Sequence, residues 1–412
     1  MKYLKDLPSR KEMEQQAGSA PFEVLNVNGH FHTPYSFSAF TDMEQIAEMA
    51  VKEQIKALGI NDFYVTDGYD EFAEMTSRRR IFPMFNIESI ALSKTQQAKG
   101  IRVNDPNNPG RTYFSGKGLD YPVTLSGRFR DLLESVKYES RRQVAEMIVK
   151  LNGWLEETGV ALSFTYEEIR EKYARQLVRE RHIAQALRIA VFEKESSDDG
   201  RKALLQKIYG GKETSVHIAN AAALENELRN NLLKAGGKAF VEEDDKAFLS
   251  VEEVKNIYLN AGGIPCYPVL LDDAKGNFTE FEADREAMCR ELKAQDIYSI
   301  ELIPGRNKLE ILEPFVRYFD EQGFVITFGT EHNAPGLIPL TVGCRGGAEL
   351  TAYLKRVNYE GACVIAAHQY FRSQREQGYV DTVSGKAHTS RRNEFIATGN
   401  AVIRKWTGSE GA

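Results

Sequence analysis

The chain opens on an apolar run, FEVLNVNGHFH (22–32), whose pattern predicts a buried strand ending in Gly29 and two histidines. Asp42 then stands before DMEQIAEMAVKEQIKALG. In that stretch Met43, Ile46, Ala47, Ala50 and Ile55 fall mostly on one helical face, and Gly59 is expected to close it. A second strand is predicted around GINDFYVTD, and a third in IFPMFNIESIAL with Glu88 at its end. Strand, helix and strand recurring at this spacing predict a parallel α/β sheet or barrel.

Residues 94–127 are rich in Gly, Asn, Pro and Lys and read as a long loop with a hairpin, the kind of loop that often carries function. From 128 to 258 the pattern is mainly helical and predicts a helical insert. The α/β rhythm then returns. AGGIPCYPVLL, IYSIELIP and FVITFGTEHN read as strands, DREAMCRELKAQ and KLEILEPFVRYFDEQG as helices, and helices close the domain through AVIRKW. The expected division is a barrel over 20–127 and 259–405, an insert over 128–258, and terminal extensions at 1–19 and 406–412. The last of these ends in GSEGA, expected to be flexible.

Composition narrows the function. The 412 residues are 42% hydrophobic and 27% charged, ordinary for a globular chain. A net charge of −6 argues against a general nucleic-acid or membrane-surface binder. Cys266, Cys289, Cys344 and Cys363 form no CxxC pair, which points to a reducing cytoplasm rather than to disulfides or structural zinc. The charged N-terminus has no apolar signal region, and no apolar run reaches 18 residues, so no membrane span is expected.

Candidate chemistry gathers at strand ends. His30 and His32, two apart on a strand, point to the same face and can grip one cation. Glu88 follows an apolar run, where a carboxylate is costly to bury unless it is paired or on a metal. Glu331 and His332 follow the last predicted strand, at the end of an α/β barrel where catalytic groups collect. His368, after CVIAAHQYF, reads as a strand-end or core residue instead.

These segments resemble the PHP (polymerase and histidinol phosphatase) superfamily. NGHFHTPYS and the helix after it resemble that family's HxHTxxSDG opening, and PMFNIES its PGxE element. RERHIAQAL resembles the R-P-H-I-A element of family nucleotide phosphatases with a helical insert. AGGIPCYP resembles AGG-x-x-x-AHP, and FGTEHN resembles GSDAH. The order holds over roughly residues 22–340. The resemblance implies a distorted (β/α)7 barrel with a mainly helical insert. It also implies His30, His32, Glu88 and Glu331 as metal ligands. Other ligand positions of the family differ here: Phe37, Phe63 (in place of the His of TDH), Tyr113, Tyr267 and Asn333. By the family pattern the two tyrosines would remove the second of three metals, and the other three residues the third. The expectation is therefore one divalent ion, zinc, manganese or iron.

The rest of the site is read around that ion. Asp62 is either a general base or orienter, or a strand-end turn cap. His332 is either a ligand or an acid for the leaving group. Tyr113 and Tyr267 either donate to a developing oxyanion or fill space. The Arg181-His182 pair, Arg306 in LIPGRN and Lys117 in the Gly-rich loop are expected to meet a small anionic substrate. The leading expectation is a metal-dependent hydrolase, a phosphoesterase. A single-metal lyase or isomerase acting on sugars and a non-catalytic binding protein are the alternatives.

Overall fold

The structure, a computed structural model, describes residues 4–19, 22–273 and 275–409. Seven strands form a nearly closed barrel in sequence order. They are β1 (Val27–Phe31), β2 (Ala57–Phe63), β3 (Phe82–Leu92), β4 (Arg111–Lys117), β5 (Ile264–Val269), β6 (Ser299–Leu302) and β7 (Val325–Phe328). All neighbours run parallel except β4, which is antiparallel to both β3 and β5. A bridge between Phe31 and Glu331 draws β1 to the end of β7. There the His32 N–H donates to the Glu331 carbonyl at 2.9 Å, and the Thr330 N–H donates to the His30 carbonyl at 2.9 Å. The expected α/β barrel of distorted (β/α)7 form, with helical parts, is what the chain builds.

Parallel neighbours need crossovers, and helices supply them. Met43–Lys52 joins β1 to β2, Tyr69–Arg79 joins β2 to β3, Arg285–Ala294 joins β5 to β6, and Leu309–Glu321 joins β6 to β7. The first shows why the sequence folds this way. The Asp42 carboxylate accepts from the Gln45 N–H at 2.8 Å, an N-cap, and Met43, Ile46, Ala47 and Ala50 are buried on one face.

Three details differ from the sequence reading. Gly59 does not end that helix, which stops at Lys52; it lies inside β2. A Cβ there would stand 2.4 Å from the Gly29 carbonyl oxygen, so glycine is what lets β1 approach. Glu88 stands in the middle of β3, not at its end. And the hairpin read in the 94–127 loop is a barrel strand, with Ile90 of β3 opposite Tyr113 of β4.

Between β4 and β5 the chain is helical. Gly127–Glu157, Tyr166–Tyr173, Glu180–Lys194, Asp198–Ile208 and Ala221–Leu228 share an apolar cluster of their own, including Leu151, Leu155, Ile183, Leu187 and Leu205. The helix after them, Val251–Asn260, instead sends Val254, Ile257 and Tyr258 into the barrel cluster. Helices Ala352–Ser373 and Arg392–Thr407 close the domain, and the N-terminal residues Leu4 and Met13 bury against them. Of the GSEGA tail, residues 410–412 lie outside the described residues. Among the described residues no helix is long and apolar enough to cross a membrane.

Candidate metal centre at the barrel mouth

Side chains alternate along a strand, so His30 faces the barrel interior together with Asn61 of β2, Glu88 of β3, Lys117 of β4 and Glu301 of β6. The His30 and His32 Nε2 atoms stand 3.3 Å apart. Glu88 Oε2 lies 3.4 Å from His32 Nε2 and 4.0 Å from His30 Nε2. With a carboxylate oxygen of Glu331, these four ligand atoms all fall within 4.8 Å of one another, and all four residues are buried. Ligands roughly 2.0–2.2 Å from one ion in tetrahedral array lie about 3.3–3.6 Å apart, which the His30–His32 and His32–Glu88 distances match. Among the described residues Glu88 Oε2 has no hydrogen-bond partner, an expensive orphan for a buried carboxylate unless a cation meets it. Burial and its acidic neighbours push the Glu88 carboxyl well above the usual range, outweighing His30 and Lys117. Burial also pushes His32 below the usual imidazole value, which keeps it neutral and able to ligate. The donor set thus fits one divalent ion.

A second layer fixes the first. Glu301 Oε2 lies 2.8 Å from His30 Nδ1 and 2.5 Å from Lys117 Nζ. Burial works upward on the Glu301 carboxyl, but Lys117 and His30 outweigh it and hold it low. A carboxylate only accepts, so the His30 proton sits on Nδ1 and the Nε2 lone pair faces the cluster. Asn61 accepts from Lys117 Nζ at 3.0 Å and rests its amide against the His30 ring. Sequence reasoning missed Glu301 and Asn61. Glu301 carries the signal that marked Glu88, a lone acid in an apolar strand.

The sequence leaves open whether Glu331 or His332 faces a cation, and the backbone answers. Both adopt left-handed φ, 68° and 54°, a strained pair at a strand end. The corner turns Glu331 inward and His332 away. The His332 ring lies between Thr330 Oγ1 and the Ile338 carbonyl, each at 2.8 Å, and stacks on Phe40. Neither ring nitrogen is left for a ligand or a leaving group.

Other expected site residues are also occupied elsewhere. Asp62 accepts from the Thr33 N–H at 2.8 Å, Thr33 Oγ1 at 2.5 Å and Ser36 Oγ at 2.6 Å. It holds the 33–36 turn beside His32, the strand-end cap of the two readings. Tyr267 donates to Glu282 at 2.9 Å, buried and off the cavity, so it reaches no oxyanion. Lys117 is fully buried in its pair with Glu301 and is absent from the cavity lining. His182 accepts from the Arg179 N–H at 3.0 Å, and burial pushes it down to about 4, so it is a neutral helix-start residue.

A cavity of about 900 Å³ opens above the cluster, between the mouth and the helical stretch. Tyr113, Arg181 and Arg306 line it, with Phe37, Phe63 and Asn333. His32, Phe37 and Phe63 pack as three nearly parallel rings: the centroids are 5.3 Å apart for His32–Phe37, 5.2 Å for His32–Phe63 and 5.4 Å for Phe37–Phe63. Phe37 and Phe63 thus wall one side of the cluster with rings that cannot ligate. The Arg181 guanidinium sits over Phe37 at 5.8 Å, and its Nη1 is buried with no hydrogen-bond partner among the described residues. Burial first, then Arg229, pushes it down to about 10, so it stays charged near neutral pH.

Fold and site together are a seven-stranded α/β barrel with a candidate metal cluster at its mouth. No protein-family model and no curated protein matches the chain. Among solved structures it is similar to a "putative metal-dependent phosphoesterase" from Bifidobacterium adolescentis, at 17% identity and a TM-score of 0.51, over 80% of this chain and 94% of that one. It is also similar to an amidohydrolase from Chromobacterium violaceum with sulfate bound and no metal, at 18% identity and a TM-score of 0.46, over 78% of this chain and 93% of that one. At such identity the first likeness shows the fold alone.

Proposed function

We propose that this chain is a single-metal hydrolase of PHP type, acting on a phosphoester of a small anionic metabolite. The observation that carries the reading is the convergence of His30, His32, Glu88 and Glu331 on one point, with Glu88 Oε2 unpartnered, at the floor of a cavity. A divalent ion of zinc, manganese or iron type held there supplies Lewis acidity and makes water a nucleophile near neutral pH. The chain's own groups do the rest. Arg181 offers an unpaired, charged N–H to an anionic substrate. Tyr113 lines the cavity with its hydroxyl pushed up by burial, so it stays protonated and donates to a substrate oxygen. Phe37 and Phe63 exclude water from one side.

The test is metal content of protein purified without chelator, for wild type and His30→Ala/His32→Ala, followed by a screen of phosphomonoesters, sugars and lactones with the metal found. The expected result is about one ion per chain, lost in the double variant, with turnover of a phosphomonoester. Turnover of a sugar or lactone alone would replace the phosphoester reading by the lyase or isomerase reading. No ion after soaking in zinc, manganese and iron would leave a binding protein.

A further inference from the structure

Glu331 differs from the other three ligands in one respect: it is already held by a cation of the chain. Arg306 Nη2 lies 3.0 Å from Glu331 Oε1. The Asn333 amide donates to the same oxygen. Glu331 Oε1 is thus shared by Arg306 and Asn333, and a carboxylate oxygen of the same residue stands in the cluster.

The Arg306 side chain is 45% exposed and lines the cavity, so its remaining N–H groups face the space a substrate would fill. Its backbone, in contrast, is pinned. Arg306 ends a short turn, Pro304–Arg306, whose N–H donates to the Ile303 carbonyl at 2.8 Å. The Arg345 guanidinium donates to the Arg306 carbonyl and pairs with the buried Asp272 at 2.9 Å. The neighbouring Asn307 amide donates to Asp272 Oδ1 at 2.9 Å and to the Leu270 carbonyl at 3.0 Å. A guanidinium tied at its head to a metal ligand and at its root to a buried network is preorganised, the condition under which a fixed charge helps most.

We infer that Arg306 is the second electrophile of this site: its guanidinium, braced on Glu331, neutralises the substrate's anionic oxygens alongside the single ion. The inference rests on the phosphoester reading above. It gives a physical reason why one ion suffices. The positive charge that further ions would bring is supplied by an arginine held beside the cluster.

Inorganic phosphate is the probe. Zinc is titrated calorimetrically into metal-free wild type, Arg306→Lys and Arg306→Gln, and phosphate is then titrated into each zinc-loaded protein. The expected result is one equivalent of zinc in all three. Phosphate affinity should fall roughly 10- to 100-fold in Arg306→Gln and less in Arg306→Lys, the scale of one lost charged contact. On a phosphomonoester, if turned over, Arg306→Gln should lower kcat about 100-fold or more. Wild-type phosphate binding matched by Arg306→Gln would overturn the inference alone. Loss of zinc in Arg306→Gln would overturn it too, because Arg306 would then build the metal site. Wild type that takes zinc yet binds no phosphate would overturn the phosphoester reading and this inference with it.

Discussion

Histidines in two regions of this molecule are buried alike and connected differently. At the barrel mouth, His30 and His32 turn their Nε2 atoms toward each other and toward Glu88 Oε2, which has no partner. At the periphery, both His332 ring nitrogens meet protein groups, and so do both of His368. His368 Nε2 lies 2.7 Å from the Gly262 carbonyl, and its Nδ1 accepts from the Tyr379 N–H at 2.9 Å. Burial alone does not separate a ligand from a core residue. What separates them is whether the hydrogen bonding of the site closes without an outside atom. At the mouth it stays open; at the periphery it closes.

The sharpest way to break this contrast is to disturb the layer beneath the mouth. Glu301→Gln leaves the four ligands intact but removes the negative charge that fixes His30 and that balances the buried Lys117 ammonium. Zinc affinity should fall about 10- to 100-fold, as outer-layer changes do. Stability should fall by about 3–5 kcal/mol, the cost of leaving a buried charge unpaired. A competing chelator reads the first and urea unfolding the second. Unchanged zinc affinity would show that His30 needs no bracing, and the mouth would then resemble the periphery.

Much of the architecture is legible in the sequence, for a physical reason. The Asp42 cap and the apolar stripe of Met43–Ala50 are local signals, as are the apolar runs of β1, β3, β5, β6 and β7. The barrel role of β4 is less visible, because a strand antiparallel to both neighbours inside a Gly-rich loop gives only a short pattern. His30, His32 and Glu88 are legible as ligand candidates, because two histidines in alternation and a lone acid in an apolar strand are local too. The inward turn of Glu331 is not, since it depends on two successive left-handed residues. Nor are the partners that occupy Asp62, Tyr267 and Lys117, because Thr33, Glu282 and Glu301 reach them only through the fold.

A smaller effect should appear at the periphery under acid. Burial pushes His368 down to about 4 in the folded chain, against about 6.5 for a free imidazole. Between those values the unfolded chain takes a proton and the folded chain does not, so stability falls as pH drops through that window. His182, also pushed down to about 4, adds in the same direction. The loss should reach a few kcal/mol by pH 4. His368→Gln should be less stable at pH 7 yet lose less between pH 7 and pH 5, as read by urea midpoints. An undiminished pH slope in that variant would show that His368 is not the group that titrates.

The smallest change is the most specific test of the contrast. Tyr267 was a candidate oxyanion donor by sequence, yet its hydroxyl serves Glu282, whose oxygens also accept from the Leu270 N–H at 3.1 Å and the Leu271 N–H at 2.7 Å. Burial pushes the Glu282 carboxyl up to about 8, and these donors pull against it. Tyr267→Phe removes one donor of three, so stability should fall by only about 1 kcal/mol. Because Tyr267 is absent from the cavity wall, zinc content and kcat/KM should not change. Tyr113, which does line the cavity, gives the matched opposite: Tyr113→Phe should leave stability nearly intact and slow turnover about tenfold or more. If the two variants exchanged effects, a group with a complete set of protein partners would be serving the substrate, and hydrogen-bond closure would no longer distinguish the mouth from the periphery.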